Sequence, residues 1–343
     1  MKIDILTNDG SPLGIIYEDI YGEADRVGLG GAELALLTFC EMLGQEGNSV
    51  RLYNNPRRST TNPFFEQLPL SAFQREDSRD VLIAFRSPNQ RIEGAKGFKV
   101  WWSCDQYTIG SFKDFAPKVE RIVTISPFHS KHFEKEYRIL NTIPIDLPVR
   151  LDDYILRPRN IPERNPHKAL YASVPDRGLM ILHAAWPLIQ REVPDAELVI
   201  TSDYRLWGTF ALNEQYRMDF MSHPNVQFLG GVKRDFLLRE QMTSGVLAYP
   251  CTYDELFCIS VAEAQVAGCM PITTNRGAVD STNMYRKIAG NPMSPAWVQE
   301  FVAAVVLEMT VPKQETRQSI MLAAQARFAP VRILQEWKEK VFK

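Results

Sequence analysis

The chain has 343 residues, of which 45% are hydrophobic and 23% charged, and carries a formal net charge of -2 at pH 7. This length exceeds the usual single domain and the apolar content can fill more than one core, so two domains are expected. The balance of charge leaves no global basic field for nucleic acid, and the longest apolar runs, such as Val302 to Val306 and Val246 to Tyr249, fall far short of the roughly 20 residues that cross a bilayer. The first element is a strand, Lys2 to Leu6, without the apolar stretch and small-residue cleavage site of a signal peptide, so a cytoplasmic location is expected. Further strands are predicted at Ser49 to Tyr53, Val81 to Phe85, Lys99 to Trp102, Arg121 to Thr124 and Thr142 to Ile145, with helices at Ala32 to Leu43 and Pro127 to Tyr137. Asn54 to Arg79 is polar, is broken by Pro56, Pro63 and Pro69, and reads as loop with at most short helices.

A charged, proline-bearing passage from Arg157 to Pro166 separates this series from a second one, placing one domain at 1–155 and another at 156–328. The second series predicts strands at Lys168 to Tyr171, Glu197 to Thr201, Val226 to Leu229, Val246 to Tyr249 and Met270 to Thr273. Helices begin at Gly178 and Asp235 and cover Ser260 to Val266. Strands alternating with helices in this way indicate an α/β class with parallel sheets. Three helical patterns close the chain, and the last, at 329–343, carries Ile333, Leu334 and Trp337 on one face and needs a surface to cover. The five cysteines (Cys40, Cys104, Cys251, Cys258, Cys269) show no C-x-x-C spacing and read as reduced thiols. The five histidines form no metal-binding H-E-x-x-H, and Asp152-Asp153 lacks a third acidic group for a divalent ion.

Four segments carry chemistry. Glu255 and Glu263 stand eight positions apart, the first in a polar loop after a strand and the second on a short helix, and such paired acceptors suit a ligand rich in hydroxyls. Beyond the C-terminal ends of strands is where open α/β sheets bind ligands, yet Ser260-x-x-Glu263 is also a capping box, and Glu255 alone would be a solvated loop carboxylate. Gly28-Leu29-Gly30-Gly31-Ala32-Glu33 opens an apolar helix, where glycines admit a phosphate to free N–H groups. The bland alternative is a tight turn, and a dinucleotide fingerprint fails because Glu33 takes the third glycine's place and about twenty residues separate strand from glycines. Arg177, in Ser173-Val174-Pro175-Asp176-Arg177-Gly178, sits at a helix start where a cation opposes the dipole, which favours a diphosphate clamp over a surface arginine. Asp105, after Trp101-Trp102-Ser103-Cys104, is either a group aimed into a cleft or a turn or capping aspartate.

Taken in order, these segments resemble the retaining GT-B glycosyltransferases, specifically glycosyltransferase family 4, over most of the chain. Carrying the resemblance are Gly30-Gly31-Ala32-Glu33, Ser173 to Leu179, Pro194 to Leu198, Val226 to Gly230, the Glu255 to Glu263 module with Ala264 and Gly268, and Gly277-Ala278. The resemblance implies a GT-B fold: two Rossmann-like parallel-sheet domains facing a central cleft, acceptor on the first, nucleotide sugar on the second, and the C-terminal helix crossing back to the first. It implies that Glu263 holds the ribose, Glu255 the hydroxyls of the transferred sugar, and the amides around Leu256, Phe257 and Cys258 the sugar or its phosphates. Arg177 would neutralise the diphosphate with help from the N–H groups at Gly30 and Gly31, and Asp105 would lie near the reacting sugar. Cys258 stands where many members have glycine. No second basic residue appears at Ser173, so Lys233 is its substitute, and the long insertion between Leu6 and Gly28 leaves the phosphate contact open.

The implied reaction is metal-independent transfer, with no further cofactor, from a UDP- or GDP-sugar to a glycan, lipid-linked or small-molecule acceptor, with retention. Fixed cations facing a departing diphosphate stabilise the transition state more than the ground state. The acceptor is expected on the first domain, around Asn54 to Arg79, Arg57, Arg58 and Lys131, with peripheral membrane contact left open. A non-catalytic sugar-nucleotide-binding scaffold and another GT-B enzyme such as a sugar-nucleotide epimerase remain alternatives.

Overall fold

The alternating strand and helix patterns fold into two compact units in the computed structural model, which describes residues 1–8, 14–21, 28–108, 110–157, 160–201, 203–204 and 211–343, the side chains of 211–213 excepted. The first unit comprises Met1–Ile20, Leu29–Pro148 and Ala329–Lys343, and the second Tyr21–Gly28 and Val149–Phe328.

The first unit is built on a seven-stranded sheet of β1 (Lys2–Leu6), β2 (Ser49–Tyr53), β3 (Glu66–Leu68), β4 (Val81–Phe85), β5 (Phe98–Trp102), β6 (Arg121–Thr124) and β7 (Thr142–Pro144), in the order β3-β2-β1-β4-β5-β6-β7. Every pairing is parallel, and β1 sits between β2 and β4, with Ile3 opposite Val50 on one side and Val81 on the other. The continuous apolar run of β4 is buried at every residue, as a parallel strand covered on both faces requires. Successive side chains of β5 point to opposite faces, so Trp101 packs among Phe112, Phe115 and Phe133 while Trp102 packs against Phe39. Both tryptophans are core residues. One strand departs from the sequence expectation: β3 lies within the polar segment read as loop, because Glu66-Gln67-Leu68 has no alternation of its own and is set by pairing with Arg51 to Tyr53. The helices are α1 (Gly31–Gln45), α2 (Phe112–Phe115) and α3 (Pro127–His132), the last running into a π-turn at Phe133–Tyr137.

The second unit repeats the plan with β8 (Asn165–Tyr171), β9 (Glu197–Ile200), β10 (Val226–Phe228), β11 (Ser244–Tyr249), β12 (Met270–Thr274) and β13 (Arg286–Ile288), ordered β10-β9-β8-β11-β12-β13 and parallel throughout. Its helices are α4 (Leu151–Leu156), α5 (Leu179–Glu192), α6 (Ala211–Phe220), α7 (Arg234–Thr243), α8 (Ile259–Val266), α9 (Val279–Thr282), α10 (Pro295–Thr310) and α11 (Gln314–Phe328). Strand β8 starts inside the passage read as linker, and the short, charged β13 was not visible in the pattern. Among the described residues no helix is long and apolar enough to cross a membrane.

The last helix, α12 (Pro330–Lys340), returns to the first unit and lies on α1. Its apolar face, Ile333, Leu334 and Trp337, is buried, and the Trp337 ring lies 4.5 Å from Phe39 and 5.4 Å from Trp102, centroid to centroid. Truncating an aromatic side chain in such a setting costs about 3–5 kcal/mol. Trp337→Ala should therefore lower the first unit's stability by about that amount in urea unfolding followed at a first-unit probe; a loss below about 1 kcal/mol would refute this packing role.

Candidate functional site

In a doubly wound parallel sheet the connections leave in opposite directions from two neighbouring central strands, and a crevice opens beyond their C-terminal ends. The strand orders put that switch point between β1 and β4 in the first unit and between β8 and β11 in the second. The chemistry-bearing residues gather at these two places.

In the second unit, the segment after β8 closes a short 3-10 turn at Pro175–Arg177 and enters α5 through Gly178. Gly178 has φ = 121°, and a Cβ there would stand 2.0 Å from the carbonyl oxygen of Pro250, so the turn after β8 and the end of β11 touch through backbone that only glycine permits. Arg177 is thereby held over the ring of Tyr253, 3.3 Å from its centroid, with Nε 3.7 Å from Glu255 Oε1. The Tyr249 hydroxyl donates to the same Glu255 oxygen at 2.9 Å. Burial, and next the Glu255 charge, push that hydroxyl well above the ordinary phenol range, so it stays a donor. The Glu255 loop is fixed from behind, where Ala278 N–H donates to the Glu255 carbonyl at 2.7 Å. Gly277, at φ = 55°, lets the loop approach so closely that a Cβ would fall 2.6 Å from that carbonyl oxygen. Burial raises the Glu255 carboxyl above its ordinary value, against the opposing pull of Arg177 and of the Tyr249 hydrogen bond.

Leu256, Phe257 and Cys258 lead from this loop into α8 and are buried. Cys258 is the N-cap of α8, has φ = 71° and gives the helix no side-chain cap. An uncapped helix N-terminus next to Arg177 and Glu255 presents N–H donors and the positive end of a dipole, which suits an anion.

Glu263 is placed differently. Helix α8 starts at Ile259, so Ser260 is inside it and the capping box does not form; the Ser260 hydroxyl donates to the Ala172 carbonyl instead. The Glu263 carboxylate, 4% exposed, accepts from Arg234 Nη1 at 2.8 Å and Gln241 Nε2 at 3.1 Å. Arg234 Nε also donates to Asp153 at 2.5 Å, and Tyr154 donates to Gln241 at 2.7 Å. Burial works against the Arg234 charge, but Glu263 and its other anionic and phenolic neighbours outweigh that and raise its pKa. Its Nη2 has no hydrogen-bond partner among the described residues although it is buried. Lys233, one residue earlier, is exposed and precedes α7 as its N-cap. Arg234, Asp153 and Gln241 were not singled out from the sequence. Asp152-Asp153 reads only as a divalent-ion site lacking a third acidic group, and Arg234 follows Lys233, the residue the resemblance puts forward. The one available signal was a short α-helical pattern at Leu151 to Leu156 that buries one of its two aspartates.

In the first unit, Gly30 and Gly31 form the N-terminus of α1, again without a side-chain cap. Three residues on, Glu33 is buried and accepts from Arg86 Nη1 at 2.6 Å. Arg86 follows β4, has φ = 70°, and its Nε donates to Asp105 at 2.7 Å. Asp105 is therefore neither a cap nor a turn residue; it is one end of a Glu33–Arg86–Asp105 charge chain lying over the ends of β1, β4 and β5. Arg86 was missed because a single arginine after a hydrophobic strand carries no pattern. Residues 9–13 and 22–27 of the insertion between Leu6 and Gly28 lie outside the described residues. Among the described residues no group of three or more His, Cys, Asp or Glu side chains is placed to hold a metal ion.

Residues 169–307 match the family model of the glycosyl transferases group 1. Among solved structures, the chain is similar to Anabaena HepE in complex with UDP, at 16% identity and a TM-score of 0.69, over 99% of each chain. Sucrose-phosphate synthase from Thermosynechococcus elongatus is similar at 15% identity and a TM-score of 0.69, covering 99% of this chain and 98% of that one. AviGT4, a glycosyltransferase of avilamycin A biosynthesis, is similar at 15% identity and a TM-score of 0.68, covering 99% and 96%. Among curated proteins none matches. The two Rossmann-like parallel-sheet units are those of the GT-B fold.

Removing one partner from a buried charge network strands the others, at a cost of about 3–5 kcal/mol. Asp153 keeps Arg150 at 3.2 Å, so Glu263 is the group left without a cation when Arg234 is removed. Arg234→Met should destabilise the second unit by that amount, and adding Glu263→Gln should restore most of it. Chemical denaturation of the single and double variants distinguishes this from simple loss of packing, in which case the double variant would be no more stable than the single.

Proposed function

We propose that this chain, whose residues 169–307 match the family model of the glycosyl transferases group 1 and whose two units have the GT-B fold, transfers a sugar from a nucleotide-diphosphate sugar to an acceptor hydroxyl. The observation that carries the proposal is the juxtaposition of Arg177 and Glu255 at the β8/β11 switch point, beside the uncapped start of α8. A forked cation and a helix N-terminus suit a diphosphate, and a carboxylate suits sugar hydroxyls. HepE has been crystallised with UDP and with UDP-glucose, which supports a UDP-sugar as the donor.

The chemistry follows from where charge develops. As the bond from the anomeric carbon to the diphosphate breaks, the electron pair leaves with the phosphate oxygen and the sugar becomes oxocarbenium-like. Arg177 and the N–H groups of Phe257, Cys258 and the first turn of α8 meet the growing negative charge, an interaction stronger in the transition state than in the bound donor. This supplies the neutralisation that a metal ion would otherwise give, and in it lies the case for a metal-independent reaction. Glu255 is held by Tyr249 and Arg177, in a place suited to accept hydrogen bonds from the sugar. In that role it is not the nucleophile of a double displacement, which supports same-face attack by the acceptor with retention, the acceptor hydroxyl's proton passing to the departing phosphate oxygen. Glu263 holds its place through Arg234 and Gln241, and reaches a ribose hydroxyl through the remaining lone pairs of its carboxylate. Within the first unit, the start of α1 at Gly30 and Gly31 is of a kind suited to phosphate, and Arg86 fixes the Asp105 carboxylate.

UDP and GDP should be compared first: the nucleotide of the donor, at about 100 times its dissociation constant, stabilises the fold by about 2.7 kcal/mol. With the matching nucleotide sugar, Glu255→Gln and Arg177→Ala should each lower turnover by about 10²- to 10³-fold, as loss of a single transition-state donor or acceptor does. Unchanged turnover in both variants would sink the assignment. Nucleotide binding without turnover on any donor and acceptor would make the chain a binding protein.

The raised Glu255 carboxyl gives a pH signature. Only its ionised form accepts hydrogen bonds from the sugar at both oxygens, so kcat/KM should fall as pH drops through a value above the ordinary carboxylate range. Glu255→Gln should abolish that limb. An acid limb identical in the two proteins would assign it to another group.

A further inference from the structure

The first unit carries a cavity of about 800 Å³ that neither the sequence motifs nor the charge chain of Arg86 accounts for. Its walls are Asn8 after β1, Pro88, Asn89, Gln90 and Arg91 after β4, and Ser111, Asp114 and Lys118 after β5, closed on a further side by Arg75. It therefore opens at the same end of the sheet as Gly30, Arg86 and Asp105, and its volume lies in the range of small-molecule sites. The lining holds three cations, Arg75, Arg91 and Lys118, against one carboxylate, Asp114, an excess of two positive charges in a chain whose net charge is -2.

These cations are not equivalent. Arg75 donates to the carbonyls of Arg91 and Gln90 at 3.3 and 3.4 Å, so it straps the turn that presents Arg91. Asn89 is buried and fixes the same turn from inside, donating to the Thr7 carbonyl at 2.9 Å and accepting from the Arg91 amide at 3.0 Å. Lys118 pairs with Glu93 at 2.6 Å, both well exposed, an arrangement worth little and easily exchanged. The Arg91 guanidinium has no hydrogen-bond or ion-pair partner among the described residues. Arg57, which the sequence suggested for the acceptor surface, pairs with the buried Asp19 carboxylate at 2.5 Å. A turn braced from two sides that holds out a forked, unpaired donor beside a second cation and neutral amide and hydroxyl groups is a receptor for an anion on a hydroxyl-rich body.

We propose that this cavity binds the acceptor and that the acceptor carries an anionic group, a phosphorylated or acidic sugar, with Arg91 as the primary contact and Lys118 as the second. Naming the ligand an acceptor rests on the glycosyl-transfer reading; the preference for an anionic sugar does not. The matched probes are glucose 6-phosphate, glucuronate and glucose, titrated into the full chain by calorimetry at low and high salt. Glucose 6-phosphate and glucuronate should bind at least about tenfold more tightly than glucose, with an advantage that shrinks as salt screens the exposed charges. A phosphate source is separated from a carboxylate source by which of the two binds more tightly.

Arg91→Glu with Lys118→Glu should abolish the advantage while UDP still stabilises the variant as it does the parent chain, since both substitutions are on the exposed rim of the first unit. Equal binding of charged and neutral sugars by the parent chain, or an advantage that survives in the variant, would overturn the proposal. Failure of every nucleotide to stabilise the parent chain, with the anion preference intact, would overturn the glycosyl-transfer reading alone and leave a site for anionic sugars.

Discussion

A parallel strand cannot be followed at once by its neighbour; the chain must cross over, and it does so from the C-terminal edge of the strand. When crossovers run one way from β1 and the other way from β4, or one way from β8 and the other from β11, the two loops diverge and leave backbone ends with nothing packed between them. This constraint decides where charge can be kept without being fully desolvated. Arg177, Glu255, Arg86 and Asp105 all lie at these edges and keep part of their side chains exposed, whereas the strands beneath them are apolar and buried on both faces.

The charge pairs at the two switch points differ from the one beneath α8, and the difference is physical. Arg177 stacks on Tyr253 and stands 3.7 Å from Glu255, longer than a hydrogen bond, so this pair is held loosely and both side chains keep some exposure. Arg234, by contrast, is buried between Asp153 and Glu263 at hydrogen-bond distance, and although Asp153 also pairs with Arg150, Arg234 cannot leave Glu263 without leaving a buried, uncompensated carboxylate. The first arrangement is suited to exchange ligands and the second to hold a helix in register. Glu263 thus belongs to a rigid support, its carboxylate oriented by Arg234 and Gln241.

The sequence reveals what periodicity encodes. Runs such as Val81 to Phe85 and Val246 to Tyr249 announce central strands because burial on both faces demands continuous apolar residues, and the Ile333, Leu334, Trp337 face of the last helix announces a partner surface. Edge strands carry no such demand, so Glu66-Gln67-Leu68 and Arg286-Lys287-Ile288 look like loop until their neighbours are known. The same division runs through the site. Glu255, Arg177 and the glycines are legible because their spacing is tied to one strand–loop–helix unit. Arg86, Arg234 and Asp153 are not, because each acts through a residue far away in the chain: Arg86 on Glu33 and Asp105, and Arg234 on Asp153 and Glu263.

Cys258 shows how local strain and local function are joined. A non-glycine residue at φ = 71° costs roughly 1–2 kcal/mol, and the resemblance would put glycine at this position. The cysteine side chain is not idle, however: it is 8% exposed and packs into the core of the second unit with Tyr249, Val261 and Ala264. Burying a small thiol recovers free energy of the same order as the strain. The left-handed turn is what directs the chain from the Glu255 loop into α8, so a residue that relaxed to an extended conformation would swing the helix N-terminus away from Arg177. Backbone geometry at this one position is therefore set by the need to bring a helix start beside a fixed cation, and the side chain is whatever the core can hold there.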